Sequence, residues 1–480
     1  MSLNLDVYNT HMELYAYTKD DYPVIEKMYT AIDKFTGFEH SCGYIIEDGK
    51  LFLPRGTPVS KIESICDVKA NYIMESDPIE KMSRKYSPLY DPRNELQEKS
   101  VKFLMEDNHQ LALNLMTGVG KTFCVAYAST MLSEKTLIIT PSESIKQQWM
   151  DTYYKMIGIS KKNLLNIEGS VTIEAIMADM INPADVYFVN HQTIQSFMSN
   201  TNGYTLHKFF KKLAIGVKVY DESHEHFGNI LMIDFYSNTN RTWYLTATFD
   251  RSDKTESVCF KRAFNSVSTF GEMESYNQMI KHVIYHVVNI NSHISPKHRA
   301  EVIGYQGMSA VSYGKYAFFN DSNNTAYMAI LKCLKILEKI EGKVLIFIPL
   351  IDGVDEVAKK LKKDQEKSVG VYHSRISKEE KESTLKKKDI IVSTIKSCGT
   401  GQDIPGLRAV ICCEPIASKV IATQMFGRIR PYKDEDGNLK DTFFFDIVDI
   451  CIPMINWWWR ARYKKIQELC KDTVYLNIDK

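Results

Sequence analysis

Two successive series of short apolar runs, each run followed by a helix-like stretch, constrain this chain more than any other feature. In the first series Leu111–Met116, Thr136–Thr140, Val186–Asn190, Val217–Asp221 and Trp243–Thr246 read as strands. In the second the strands are Val344–Ile348, Ser368–Tyr372, Asp389–Ser393, Ala409–Cys413 and Thr442–Asp446. Unbroken apolar runs of this length suit strands covered on both faces, and strands separated by helices pair in parallel. Function in such sheets gathers at the carboxyl ends of the strands. At 480 residues the chain is too long for one core. The sequence therefore predicts an α/β protein with two similarly sized parallel-sheet units in tandem. Residues 251–340 between the series are mixed and carry a helix over Ala326–Ile340.

Residues 1 to about 85 are rich in tyrosine and acidic side chains. There Cys42–Ile46 and Lys50–Leu53 flank Glu47-Asp48-Gly49, and Asp-Gly is a strong hairpin signal. Lys81–Pro88 reads as a linker. The lysine runs at 359–363 and 386–388 could face an anionic strand, but read more readily as solvated helix faces.

The formal net charge is +1, so nothing global announces an anionic partner, which must be met by a local groove. Ten cysteines in scattered, mostly apolar settings, with no CxxC pair, favour reduced thiols over a disulfide framework or a zinc site. No basic-then-apolar leader is seen, and Asp446 and Asp449 interrupt the apolar stretch Phe443–Trp459. A cytoplasmic protein without a membrane span is expected.

The chemistry concentrates in three places. Thr117-Gly118-Val119-Gly120-Lys121-Thr122 joins a strand to a helix, where backbone N–H groups converge on phosphate. Lys121 suits the β/γ-phosphates and the Thr122 hydroxyl suits Mg²⁺. Leu115 stands where the general phosphate-loop pattern has a glycine. Asp221-Glu222-Ser223-His224 closes a strand of the same unit, and adjacent carboxylates there are costly without a cation. Asp221 is assigned to the metal and Glu222 to the attacking water. In the second unit Gln424 and Arg428, four residues apart, would share a helical face, and a planar guanidinium suits a γ-phosphate.

With these segments the chain resembles a superfamily 2 helicase of the DEAH-like type, over roughly residues 90–450. Thr246-Ala247-Thr248 is similar to the family's Ser/Thr-Ala-Thr motif, and Thr140-Pro141 with Gln148-Trp149, and His191-Gln192-Thr193, to its strand-contacting segments. Gly401-Gln402-Asp403-Ile404-Pro405 resembles Gly-x-Asp-x-Pro, and Gln424-Met425-Phe426-Gly427-Arg428-Ile429-Arg430 resembles Gln-x-x-Gly-Arg-x-x-Arg. The family's second arginine would fall at Pro431, so Arg430 stands one residue early. Gln97 resembles the adenine-reading glutamine, with Asn94 where an arginine is usual and Arg93 beside it as a substitute.

The resemblance implies two tandem RecA-like domains, at 89–255 and 256–452, after a small α+β N-terminal accessory domain at 1–88 and before a C-terminal tail at 453–480. It implies ATP with Mg²⁺, the ATP hydrolysed in a cleft between the two domains. Lys121, Asp221, Glu222, Gln424, Arg428 and Arg430 would be the catalytic set. Gln97, Thr117, Gly118, Val119, Gly120, Lys121, Thr122, Gly401 and Asp403 would bind nucleotide, with Thr122 and Asp221 on the metal. Thr140, Pro141, His191, Gln192, Thr193, Thr246 and Thr248 would meet nucleic acid. Within the superfamily the compact second unit and small N-terminal domain look like phage branch-migration helicases of the UvsW type, which implies a monomer remodelling single-stranded and branched duplex DNA. An RNA helicase or a restriction-system DNA translocase would share every motif, and a non-hydrolysing nucleic-acid-binding protein is the rival from another class. Two residues stay double-edged: Trp149 could stack a base or lie in the core, and Trp457-Trp458-Trp459 cannot all share one buried face.

Overall fold

Strands that are apolar on both faces become the middle of each unit. The computed structural model describes residues 3–16, 23–32, 39–41, 43–115, 118–246, 254–271, 281–304, 307–318, 325–398, 404–434 and 436–478. The chain divides into two compact units, Met1–Glu272 and Met273–Lys480.

In the first unit a seven-stranded sheet runs, edge to edge, Leu164–Ile167, Val186–Asn190, Thr136–Thr140, Val217–Tyr220, Arg241–Thr246, Gln110–Asn114 and Ser268–Phe270. Every neighbouring pair is parallel. Leu111, Leu137, Ile138, Phe188, Val219 and Leu245 are completely buried, as strands covered by helices on both faces require. The parallel register aligns the carboxyl ends Asn114, Thr140, Asn190, Tyr220 and Thr246 along one edge, and the loops that follow carry most of the chemistry-bearing residues. Beneath the sheet, Lys218 and Asp234 form a fully buried ion pair of 2.6 Å, and the Tyr220 and Tyr244 hydroxyls donate to the same carboxylate.

The N-terminal segment adds a five-stranded sheet in the order Ile45–Glu47, Lys50–Pro54, His11–Tyr15, Asn4–Val7, Ala70–Tyr72. The expected hairpin is present: Glu47 pairs with Lys50, and Asp48 and Gly49 take φ of +52° and +73°, as a primed two-residue turn requires. This sheet shares a core with the unit below it. The Phe52 ring lies 6.0 Å from Phe235 and 5.8 Å from Tyr236, and Asn9 N–H donates to Asn238 Oδ1 at 2.9 Å. The stretch read as a linker is pinned to the first parallel-sheet region. Ser83 N–H, the Ser83 hydroxyl and the Tyr86 hydroxyl all donate to Asp185, at 2.6, 2.7 and 2.5 Å.

The second unit has its own seven-stranded parallel sheet. Its order is Val369–Tyr372, Ile390–Ser393, Lys343–Phe347, Leu407–Cys412, Thr442–Asp449, Val283–Ile290, Asp472–Ile478. The last two strands were not apparent in the sequence. Val283–Ile290 is broken by His286 and Asn289, yet His286 is absorbed by stacking on Phe445 at 4.4 Å. Asp472–Ile478 is a half-polar edge strand. The helix Pro453–Ile466 is fastened to the sheet by Arg462, which is 2% exposed and forked onto the equally buried Asp446 at 2.7 to 3.1 Å. The fork also gives a hydrogen bond to the Ile416 carbonyl. The tryptophan triplet divides as its spacing demands: Trp457 is 69% exposed, while Trp458 and Trp459 are half-buried. The mixed stretch supplies the helix Thr325–Ile336, closed early by a tight turn in which Leu337 N–H reaches the Cys333 and Leu334 carbonyls.

The nine described cysteines are free. Among the described residues no helix is long and apolar enough to cross a membrane.

Candidate active site

The loop after the strand Gln110–Asn114 turns on glycines. Gly118 and Gly120 take φ of +100° and +97°, in the left-handed region that side chains avoid. A Cβ on Gly120 would stand 2.4 Å from Gln97 Nε2, so a side chain here would displace the glutamine amide as well as strain the backbone. The helix Lys121–Leu132 starts at once. Lys121 is 8% exposed, and its ammonium donates to the Leu115 carbonyl at 2.7 Å; Thr122 is half-buried on the same first turn. Thr117 lies outside the described residues.

Gln97 braces the loop. It sits on the helix Glu95–Leu104, capped by Asn94, and its Nε2 donates to the Val119 carbonyl at 2.8 Å while its Oε1 accepts from Arg93 N–H at 3.0 Å. The Arg93 guanidinium reaches the Gly118 carbonyl at 3.2 Å. The Arg93–Gln97 pair thus contacts the phosphate loop, and Asn94 acts as a helix cap.

Two strands away, Tyr220 hands the chain to Asp221 and Glu222. Burial, with the Glu222 charge adding to it, pushes the Asp221 carboxyl up to about 6, while Lys121 and Trp149 oppose the shift. Asp221 Oδ1 accepts from Glu222 N–H at 3.0 Å and Oδ2 accepts from Trp149 Nε1 at 2.7 Å. Glu222 takes φ +49°, a conformation that costs about 1–3 kcal/mol in a residue with a side chain and that clusters at functional sites. Its buried Oε2 has no hydrogen-bond partner among the described residues. His224 Nδ1 lies 3.3 Å from that oxygen and makes its shorter contact, 3.0 Å, with the Thr246 hydroxyl. Two crowded carboxylates, one of them buried and raised, beside a buried lysine and a threonine hydroxyl form an oxygen-rich donor set of the kind Mg²⁺ takes with phosphates. The residues fit a nucleoside triphosphate with its metal: Lys121, Thr122 and the loop backbone would hold the phosphates, and Thr122 with Asp221 would hold the ion.

The residues expected to meet nucleic acid are not all at the surface. Thr140 and Thr246 are completely buried, and Thr140 donates to Asn190 Oδ1 at 2.8 Å. His191 is 1% exposed, stacks on Tyr220 and meets the His226 ring at a tilt. Burial, with His226 adding to it, drives its imidazole down to about 3, so it is neutral near pH 7. Gln192 is exposed, and Pro141 and Thr193 are half-buried. Thr248 lies outside the described residues. Trp149, 1% exposed, is a core residue with a polar tip and has no face to offer a base.

In the second unit Gly401, Gln402 and Asp403 lie outside the described residues, as does the Gln424 side chain. The helix Lys419–Phe426 stops before Arg428, whose N–H bonds back three residues to Met425. Arg428 therefore stands in the turn rather than on the helical face that its spacing implies. It is 7% exposed, and its charge opposes the burial that raises Tyr372 to about 12 and Cys398 to about 11. Arg430 is half-buried beyond it. Sequence reasoning missed the Trp149–Asp221 bond; the Gln148-Trp149 pair was visible, but not that the strand before its helix, Thr136–Thr140, lies next to Val217–Tyr220 in the sheet.

Fold and site together define a phosphate-loop nucleotide-binding protein built on two RecA-like sheets. Residues 86–251 match the family model described as Type III restriction enzyme, res subunit, and residues 326–431 match the helicase conserved C-terminal domain. The two stretches take in more than half of the chain, which belongs to the superfamily 2 helicases, enzymes that use ATP to act on nucleic acid. Among solved structures the chain is similar to S. cerevisiae Dbp5 bound to RNA and ADP BeF3, at 14% identity and a TM-score of 0.54, over 80% of this chain and 89% of that one. T4 UvsW aligns over 99% of this chain and 100% of its own at 16% identity, with a TM-score of 0.37. No curated protein matches the chain.

Proposed function

We propose that this chain is an ATP-dependent DNA helicase or translocase that unwinds or remodels branched DNA such as forks and Holliday-type junctions. The observation that carries the hydrolytic part is the convergence of a glycine-built phosphate loop, Lys121 and the Asp221-Glu222 pair at the carboxyl edge of one sheet. Lys121 neutralises phosphate charge, Glu222 orients and polarises the attacking water, and Arg428, Gln424 and Arg430 are the second unit's candidates for completing the hydrolytic set. Thr122 and Asp221 would hold Mg²⁺, which would supply further charge neutralisation. DNA is favoured over RNA by the description of the matched model, a restriction enzyme subunit. Gln192, Thr193 and Pro141 are the surface residues from which strand contact starts, through phosphate rather than base edges.

The test is ATP turnover and strand separation on matched fork, four-way-junction and linear DNA and on the corresponding RNAs. Stimulation by DNA with preference for the branched forms is expected; stimulation by RNA alone would overturn the DNA assignment. Arg428→Ala should lower kcat by about 10³-fold, as loss of an arginine finger does, while nucleotide affinity changes little. A loss confined to affinity would move that role to another arginine.

A further inference from the structure

We infer that Trp149 is a positioning residue for the divalent cation of the nucleotide site, acting through its indole N–H on the Asp221 carboxylate; the inference rests on the ATP·Mg²⁺ reading above. The bond is 2.7 Å long and both residues are buried. An indole N–H can only donate, so its place here is set by the negative oxygen it faces. The other carboxylate oxygen accepts from Glu222 N–H at 3.0 Å, so each oxygen is tied by one donor and retains a lone pair for a cation or its hydration shell. A carboxylate tied at both oxygens cannot swing about its Cβ–Cγ bond.

The indole is itself held. Its ring stacks on Tyr153 at 6.4 Å between centroids, and the fully buried Tyr153 hydroxyl bonds the Ser129 hydroxyl at 2.8 Å. Ser129 belongs to the helix Lys121–Leu132, which begins at the phosphate loop. Packing alone would be served equally by an apolar ring of the same size, whereas only an N–H donor orients Asp221. Partners that orient a metal-binding side chain are commonly worth about 10- to 100-fold in metal affinity.

The experiment titrates Mg²⁺ into the full chain with a fluorescent ADP analogue and reads the Mg²⁺ concentration at half-maximal tightening. Two variants are compared with wild type: Trp149→Phe, and replacement of Trp149 by 3-benzothienylalanine, which keeps the ring volume and lacks the N–H. The expected result is a half-saturating Mg²⁺ concentration about 10- to 100-fold higher in both, with nucleotide binding in EDTA unchanged. Should the phenylalanine variant fail to fold, the isosteric one decides alone. A folded isosteric variant that keeps the wild-type Mg²⁺ dependence overturns the inference. Wild-type chain that binds no nucleotide overturns the ATP reading and this inference with it, a result distinct from the first.

Discussion

Lys121→Ala should abolish nucleic-acid-stimulated ATP turnover and leave nucleic-acid binding largely intact. Lys121 is the buried cation of the loop, its ammonium held on the Leu115 carbonyl and its charge felt by Asp221. Alanine removes the charge that developing phosphate oxygens need, in a site where such charges are worth far more than in water. Glu222→Gln keeps shape and backbone and removes only the carboxylate proposed to polarise water. Each variant should lose at least about 10²- to 10³-fold in turnover, the range seen when one electrostatic group is removed from a preorganised site. Phosphate release measured with and without DNA, beside DNA binding by fluorescence anisotropy, checks both halves. Wild-type turnover in either variant would sink the assignment.

Arg462→Ala should destabilise the second unit by about 3–5 kcal/mol, the usual cost of breaking a buried ion pair by removing one partner. The substitution strands Asp446, 1% exposed, with only the Tyr285 hydroxyl among the described residues still donating to it, at 2.5 Å, and takes the guanidinium from the Ile416 carbonyl. With total stabilities of about 5–15 kcal/mol, that loss brings the unit close to unfolding at ordinary temperature. Denaturant unfolding, with the cooperative loss of the second unit as the readout, measures it. Replacing both partners, Arg462→Leu with Asp446→Leu, should recover much of the loss, because no unpaired charge is left behind. If Arg462→Ala costs less than about 1 kcal/mol, the range of exposed pairs, the fork is not what fastens the helix Pro453–Ile466.

The parts of the fold legible in the sequence are those whose signal is local. Thr136–Thr140 and Val186–Asn190 are apolar on both faces, and the strands observed have those same bounds. Val283–Ile290 was not legible because His286 and Asn289 interrupt it, and only the stacking partner Phe445, far along the chain, makes the histidine tolerable inside a sheet. The site divides the same way. The glycine loop and the Asp221-Glu222 pair are readable from spacing and chemistry within a few residues. The Trp149–Asp221 bond joins positions 72 residues apart and depends on Thr136–Thr140 lying next to Val217–Tyr220 in the sheet. Arg428 was visible as a residue, yet the end of its helix at Phe426 depends on i−3 hydrogen bonds that spacing does not foretell.

The N-terminal sheet is joined to the parallel-sheet part of the first unit through Phe52 and Asn9, and this has a consequence for the site. Phe235 ends the helix Phe227–Phe235, which begins five residues after Glu222, and Phe52 presses on that end. Ser223, His224, Glu225 and His226 alone separate that helix from Glu222. Phe52 and Phe235 lie in one buried cluster, so the N-terminal sheet and the helix that follows Asp221 and Glu222 are packed as a single body.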